Sequence, residues 1–233
     1  MTLEPTPLTG WTQDLATLCP DADPRAVQAV GDDLLSRWAE PQRRYHTATH
    51  LAEVFRALEE LAAAGEVGPD DERLARVAAW WHDAVYDPAA ADNEERSALL
   101  AHDALTSLGL GPDVVATVVV LVRMTADHTV KEPTRPTRAL HDADLWILTA
   151  PPERYTAYSA QVREEYAAVP DDAFAAARSV ILTDLVERDR LYLTDHAHRA
   201  WTTSARTNVR AEVARLAPNR VQQRDGVTRS SPG

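Results

Sequence analysis

Three stretches of this chain set ligand-type side chains against apolar helical stripes. Residues 74–85 read LARVAAWWHDAV, in which Leu74, Val77, Ala78, Trp81 and Val85 recur at helical spacing and form a core stripe. His82 stands four residues after Ala78 and borders that stripe, and Asp83 follows directly. An imidazole and a carboxylate at an apolar face are costly unless something satisfies them. A divalent cation does so, because neutral imidazole and ionised carboxylate both ligate it. His50 lies four residues before Val54 and eight before Leu58. Asp144 lies four after Leu140, with Ile147 and Leu148 three and four beyond it. One inward histidine is more often hydrogen-bonded than metal-bound. Three helices that each aim such a residue inward point to one metal centre made of His50, His82, Asp83 and Asp144.

Two further His-Asp pairs occur, His102-Asp103 and His141-Asp142. His102 has no partners assigned to it and is read as structural or exposed. Asp142 competes with Asp144 for the last ligand position, and the apolar neighbours of Asp144 favour the latter. Softer candidates surround this set. Asp87 falls one turn after Asp83 and is a candidate general acid or base, or else a loop residue at the helix end. Glu94 is a candidate for orienting an attacking water, or else a first-turn acid favoured by the helix dipole. Glu95 is better explained as the far member of a capping box with Asp92. His46, one turn before His50, would contact a phosphate or orient a ligand. His128 would bind a second metal or a phosphate, or else sit exposed in a loop. Arg44 is a candidate phosphate clamp, since guanidinium binds phosphate in bidentate fashion. Trp80 and Trp81 read as core residues and not as a nucleobase platform.

The elements that must position these residues are helical. The pattern predicts helices near 26–39, 47–64, 71–86, 93–108, 113–126, 139–149, 153–167, 171–186 and 196–216. Pro69-Asp70-Asp71, Pro112-Asp113 and Pro170-Asp171-Asp172 each put an acidic capping residue before an apolar run. Residues 114–122, VVATVVVLV, are rich in β-branched side chains and alone would suggest a strand. A lone strand would leave its backbone groups unpaired, so a buried helix is expected there. Residues 1–24 read as a loosely packed arm, 25–217 as one helical domain, and 218–233 as a disordered tail. The fold class is all-α, a single compact bundle.

Composition narrows the function. The chain has 233 residues, 45% of them hydrophobic, enough for one core of ordinary size. Its formal charge of -12 repels nucleic-acid phosphates and anionic lipid, so duplex nucleic acid and membrane surfaces are not expected partners. The single cysteine, Cys19, excludes an internal disulfide and a cysteine-based zinc site. No stretch approaches the roughly 20 apolar residues of a membrane span. The N-terminal residues lack the basic start and apolar run of a signal peptide. The expectation is a soluble cytoplasmic protein; its oligomeric state has no signature in the sequence.

The order His, His-Asp, Asp resembles the HD superfamily of metal-dependent phosphohydrolases. The likeness reaches well past those four residues. Arg44-Tyr45-His46-Thr47-Ala48-Thr49-His50-Leu51 is similar to the opening motif of one bacterial subfamily. Trp81-His82-Asp83-Ala84-Val85-Tyr86-Asp87 is similar to its central motif, and Asp92-Asn93-Glu94-Glu95-Arg96-Ser97-Ala98 to the segment after it. Thr125 to His128 fits a T-x-x-H element, and Asp142-Ala143-Asp144-Leu145-Trp146-Ile147-Leu148 fits the closing motif. Tyr155, Tyr158, residues 162–166 and residues 205–208 also match, so the resemblance spans roughly 26–216. Two positions depart from it: Thr149 stands where the family has glycine, and Thr202 stands where a glutamate is expected.

The resemblance implies metal-dependent hydrolysis of a phosphate ester or anhydride in a nucleotide or other small phosphorylated metabolite. Mixed nitrogen and oxygen ligation suits Mn, Fe, Co, Ni or Zn, with Mg as a further option. Two other classes stay open. One is a non-catalytic regulatory protein that binds metal or nucleotide. The other is a di-iron oxygenase, which needs extra histidines before the final aspartate; only His102 and His128 precede His141 there.

Overall fold

The computed structural model describes residues 7–131 and 133–217. They form α1 (Pro7–Leu18), α2 (Pro24–Trp38), α3 (Ala48–Ala63), α4 (Pro69–Trp81), α5 (Asn93–Ser107), α6 (Pro112–Met124) and α7 (Arg135–Asp144). A 3-10 turn over Leu145–Thr149 follows, then α8 (Pro152–Glu165), α9 (Asp171–Glu187), α10 (Asp195–Ala200) and α11 (Thr202–Leu216). Among the described residues there is no strand, and the chain is an all-α bundle. No helix among them is long and apolar enough to cross a membrane.

The bundle is organised around α4. Its Ala75, Val77, Ala78, Ala79, Trp80 and Trp81 are all buried, so its C-terminal half is apolar all round. Such a segment belongs at the centre of a protein, and α4 touches α1, α3, α5, α6 and α7. Its alanines let the neighbours approach, while Trp80 and Trp81 fill the space at its C-terminal end. Trp38 on α2 ties that end down by donating its indole N–H to the Trp80 carbonyl at 3.0 Å.

Residues 114–122 are helical, as part of α6. Val115, Val118, Val119, Leu121 and Val122 are buried against α4 and α5. Burial of that stripe outweighs the few tenths of a kcal/mol per residue by which valine disfavours a helix.

Four expectations are corrected. Residues 1–24 are not loose throughout, because α1 occupies 7–18 with Trp11 and Leu15 fully buried. The Trp11 ring lies 5.8 Å from that of Trp80 and 6.1 Å from that of Trp81, edge to face, and its N–H donates to the Val27 carbonyl. Two large apolar residues one turn apart are too short a pattern for periodicity to register, yet they suffice to dock a helix. The acids after Pro69, Pro112 and Pro170 are not caps. The cap positions are Gly68, Gly111 and Pro170, proline or aspartate opens the helix, and the acids sit in the first turn, where the dipole favours them. Asp92 makes no side-chain capping bond, and Glu95 instead forms a bidentate pair with Arg123 of α6 at 2.6 and 2.7 Å. The helix expected over 196–216 is broken at Trp201, whose ring packs on Tyr192 while its N–H donates to Glu60. The expected disordered tail, 218–233, lies outside the described residues.

Candidate metal centre

Three helix ends meet at one point. His50 is on the first turn of α3, which Thr47 caps by accepting from the Thr49 N–H. His82 and Asp83 follow the last residue of α4, and Asp144 closes α7 where the helix tightens into the 3-10 turn. His50, His82 and Asp83 each offer a ligand atom within 4.8 Å of the others. The two Nε2 atoms are 3.2 Å apart. Asp83 Oδ2 is 3.1 Å from His82 Nε2, and Asp144 Oδ1 lies 3.1 Å from His50 Nε2 and 3.3 Å from His82 Nε2.

The electrostatics follow from this crowding. Burial opposes a charge on His82, but Asp83 and Asp144 outweigh it and raise its pKa well above the usual histidine value. Burial likewise favours neutral Asp83 and Asp144, yet the histidines beside them hold both below the usual carboxylate range. Two carboxylates crowd two imidazoles here, a donor set that a divalent cation could share in place of a proton. The outer nitrogens are already engaged. His82 Nδ1 is 2.8 Å from the Ala79 carbonyl, which can only accept, so Nδ1 carries the proton. With a cation in place of its second proton, the ring would be neutral and turn an unprotonated Nε2 to the centre. His50 Nδ1 is 2.9 Å from the Tyr45 hydroxyl.

The backbone after α4 is pinned by side chains to which the sequence reading gives no role of their own. Arg43 is buried, and its guanidinium donates to the carbonyls of Asp83 at 2.8 Å and Ala84 at 3.3 Å. It thus holds the turn that follows α4. Ser97 Oγ accepts from the Val85 N–H, and the Asn93 side chain bonds both N–H and C=O of Asp87. The helix expected to run to residue 86 therefore stops at Trp81, and Asp87 does not lie one turn along from Asp83.

A cavity of about 380 Å³ opens beside the four residues. His46, Glu94 and His128 line it; Arg44 and Asp87 do not. Arg44 is half exposed and its guanidinium donates to the Pro41 and Arg43 carbonyls. Asp87 is exposed and accepts from the Ala89 N–H. His46 is held by Glu165, whose carboxylate accepts from the backbone of Arg44, Tyr45 and His46 and pairs with His46 Nδ1 at 2.7 Å. Burial disfavours the ionised Glu165, but His46 and those N–H groups bring its pKa down to about 2. Burial raises the pKa of Glu94, its own backbone N–H opposes this, and Asp83 and Asp144 push it further up. His128 Nε2 is 3.5 Å from Asp144 Oδ2, and its backbone adopts a left-handed φ of 52°. A non-glycine residue held there is a strained position of the kind that clusters at functional sites. Burial lowers its pKa to about 4, against the pull of Asp144.

The competing aspartate has another occupation. Asp142 is fully buried and accepts from the Leu193 N–H, the Thr194 N–H and the Thr194 hydroxyl, each at 2.7 Å, with His141 Nδ1 at 2.8 Å. It ties α7 to the start of α10. Asp142→Ala leaves several buried donors without an acceptor and is expected to cost about 2–4 kcal/mol in urea unfolding. Metal content of the folded fraction should stay at the wild-type level. Unchanged stability together with lost metal would reverse the assignment of the two aspartates.

His102 is exposed and pairs with Asp103 at 3.0 Å, while Trp80 and Trp81 lie in the core. Arg178 of α9, which no sequence pattern marked, also lines the cavity. No family model, curated protein or solved structure matches this chain.

Proposed function

We propose that this protein is a metal-dependent phosphohydrolase of the HD type, acting on a phosphate ester or anhydride of a nucleotide or other small phosphorylated metabolite. The observation that carries the reading is the meeting of His50, His82, Asp83 and Asp144 at the ends of three helices, beside a cavity of substrate size. The donor set fits a divalent transition metal: two imidazole nitrogens and two carboxylates, with His82 Nδ1 fixed by a carbonyl. Mn, Fe, Co, Ni and Zn suit it best, and Mg less well. When bound, such an ion supplies a Lewis acid and acidifies a coordinated water.

The chain's own residues would do the rest. Glu94, lining the cavity from the first turn of α5, holds or moves a proton. His46, oriented by Glu165, presents its remaining ring nitrogen to substrate, and His128 offers a second contact beside Asp144. The sequence resemblance to the superfamily points the same way.

The test is metal analysis of the purified full chain, then a screen of phosphorylated metabolites with each of those metals supplied. About one divalent ion per chain and turnover of at least one compound are expected. A chain that takes up none of these ions removes the reading. Uptake without turnover of any compound favours a regulatory protein instead.

A further inference from the structure

Asp144 shows its two oxygens to different partners. Oδ1 lies 3.1 Å from His50 Nε2 and 3.3 Å from His82 Nε2, while Oδ2 lies 3.5 Å from His128 Nε2. A carboxylate that ligates a metal is ordinarily held by an outer hydrogen-bond partner, and loss of that partner costs about 10- to 100-fold in metal affinity. His128 has the position for that part. At 3.5 Å its ring stands at the outer limit of a hydrogen bond to Oδ2, so a small shift of its backbone decides whether the bond forms.

The ring chemistry agrees. His128 Nδ1 is buried without a hydrogen-bond partner. A buried N–H with no acceptor is rarer in native proteins than an unfilled lone pair, so the proton of a neutral ring belongs on Nε2. That nitrogen is then a donor, and it faces an acceptor.

His128 does not hold this place by itself. It lies between α6 and α7, and among the described residues it is the one non-glycine residue with a positive φ. Such a backbone persists where its surroundings over-determine it. The His128 N–H donates to the Met124 carbonyl at 3.1 Å. On the other side stands Arg188, which follows the last residue of α9. Its Nη1 donates to the His128 carbonyl at 3.0 Å and its Nη2 to the Asp127 carbonyl at 3.3 Å. Arg188 is braced in turn. Nη2 also pairs with Asp184 Oδ2 at 3.0 Å, one turn back along α9, and the Arg188 carbonyl accepts from Arg206 of α11 at 3.1 Å. Arg188 thus joins two elements that line the cavity, the segment of Thr125, Ala126 and His128 and the helix of Leu182 and Leu185, while lying outside the lining itself.

We propose that Arg188 is a positioning residue of the metal centre: by gripping the carbonyls of Asp127 and His128 it holds the left-handed backbone of His128, and so sets the His128 Nε2–H against the outer oxygen of Asp144. This rests on the metal-centre reading and extends it to a residue that touches none of the four ligands.

The experiment is a double-mutant cycle on the full chain, read as the affinity of folded, metal-free protein for Mn²⁺ and for Zn²⁺ by isothermal titration calorimetry. His128→Ala should weaken binding by about 10- to 100-fold, and Arg188→Gln by at least about 5-fold. Arg188→Lys keeps one donor for the two carbonyls and should lose less than Arg188→Gln. In the His128→Ala background, Arg188→Gln should add no more than about twofold, because its effect passes through the imidazole. An arginine that merely braces the fold would act alike in both backgrounds. If His128→Ala does not fold, His128→Gly takes its place, since glycine adopts a φ of 52° without strain. Arg37→Gln, in an exposed pair with Asp33, should change nothing. Wild-type affinity in folded Arg188→Gln or His128→Ala protein overturns the proposal, as do losses that multiply in the double variant. A wild-type chain that binds neither ion sinks the metal reading, and this proposal with it; wild-type binding that no Arg188 variant alters sinks the proposal alone.

Discussion

His82→Ala protein is expected to purify with about a tenth or less of the wild-type metal, and His102→Ala protein with all of it. Both residues belong to His-Asp pairs, so composition and local sequence treat them alike. Their surroundings differ. His82 is 1% exposed, its Nε2 lies within 3.3 Å of Asp83, Asp144 and His50, and its Nδ1 is tied to the Ala79 carbonyl. His102 is exposed, and its contact is the neighbouring Asp103. Loss of an outer partner of a metal ligand typically costs 10- to 100-fold in affinity, and loss of a ligand itself should exceed that. His82→Ala also removes a histidine that offsets two buried carboxylates, so the apo variant is expected to be less stable. Metal content should therefore be read on folded protein, with circular dichroism as the control. Equal metal in the two variants would mean that the wrong pair had been chosen.

The contrast between those pairs is legible in the sequence, and the reason is periodicity. His50, His82 and Asp144 each sit on a stripe of aliphatic residues, and a stripe predicts a buried direction. The helix over 112–124 was legible for a related reason: with no second strand-like segment, nine largely β-branched residues had nothing to pair with. What periodicity cannot carry is the end of an element. The helix through His82 looks continuous to residue 86, but Arg43, Ser97 and Asn93 take over the backbone after Trp81. Those partners are up to 41 residues away in sequence, which is why Asp87 was aligned with Asp83 when it is not. Long-range pairing also hid Glu165, which looks like a surface acid on α8 but accepts three backbone N–H groups from the segment before His50. Arg178 is hidden in the sequence as well: α9 reads as an ordinary helix, and only the packing of the bundle brings that arginine to the cavity wall and to Glu212. Arg44 stands in the opening motif, whereas its neighbour Arg43 is the one turned inward.

Glu94→Gln is expected to keep its metal and lose about 10²- to 10⁴-fold in kcat on the best phosphorylated substrate, the usual worth of general acid–base assistance. Asp87→Asn is expected to stay within about threefold of wild type. The sequence offered both carboxylates for proton handling, since each is near the His-Asp pair along the chain. Asp87 lies outside the cavity lining, exposed, with its carboxylate turned to the Ala89 N–H. Glu94 lines the cavity, and its pKa is raised, first by burial and then by Asp83 and Asp144 across the space. A carboxylate held above its usual range is a better proton acceptor than an exposed one. Glutamine preserves the size and helical fit of Glu94 while removing the acid–base function, so the substitution leaves the first turn of α5 intact. Metal content separates this role from ligation: a direct ligand lost would lower both metal and rate, a proton handler only the rate. If Glu94→Gln turns over at the wild-type rate with full metal, Glu94 is a first-turn acid favoured by the helix dipole. Proton transfer is then assigned to His46 or His128, the imidazoles that line the cavity outside the ligand set.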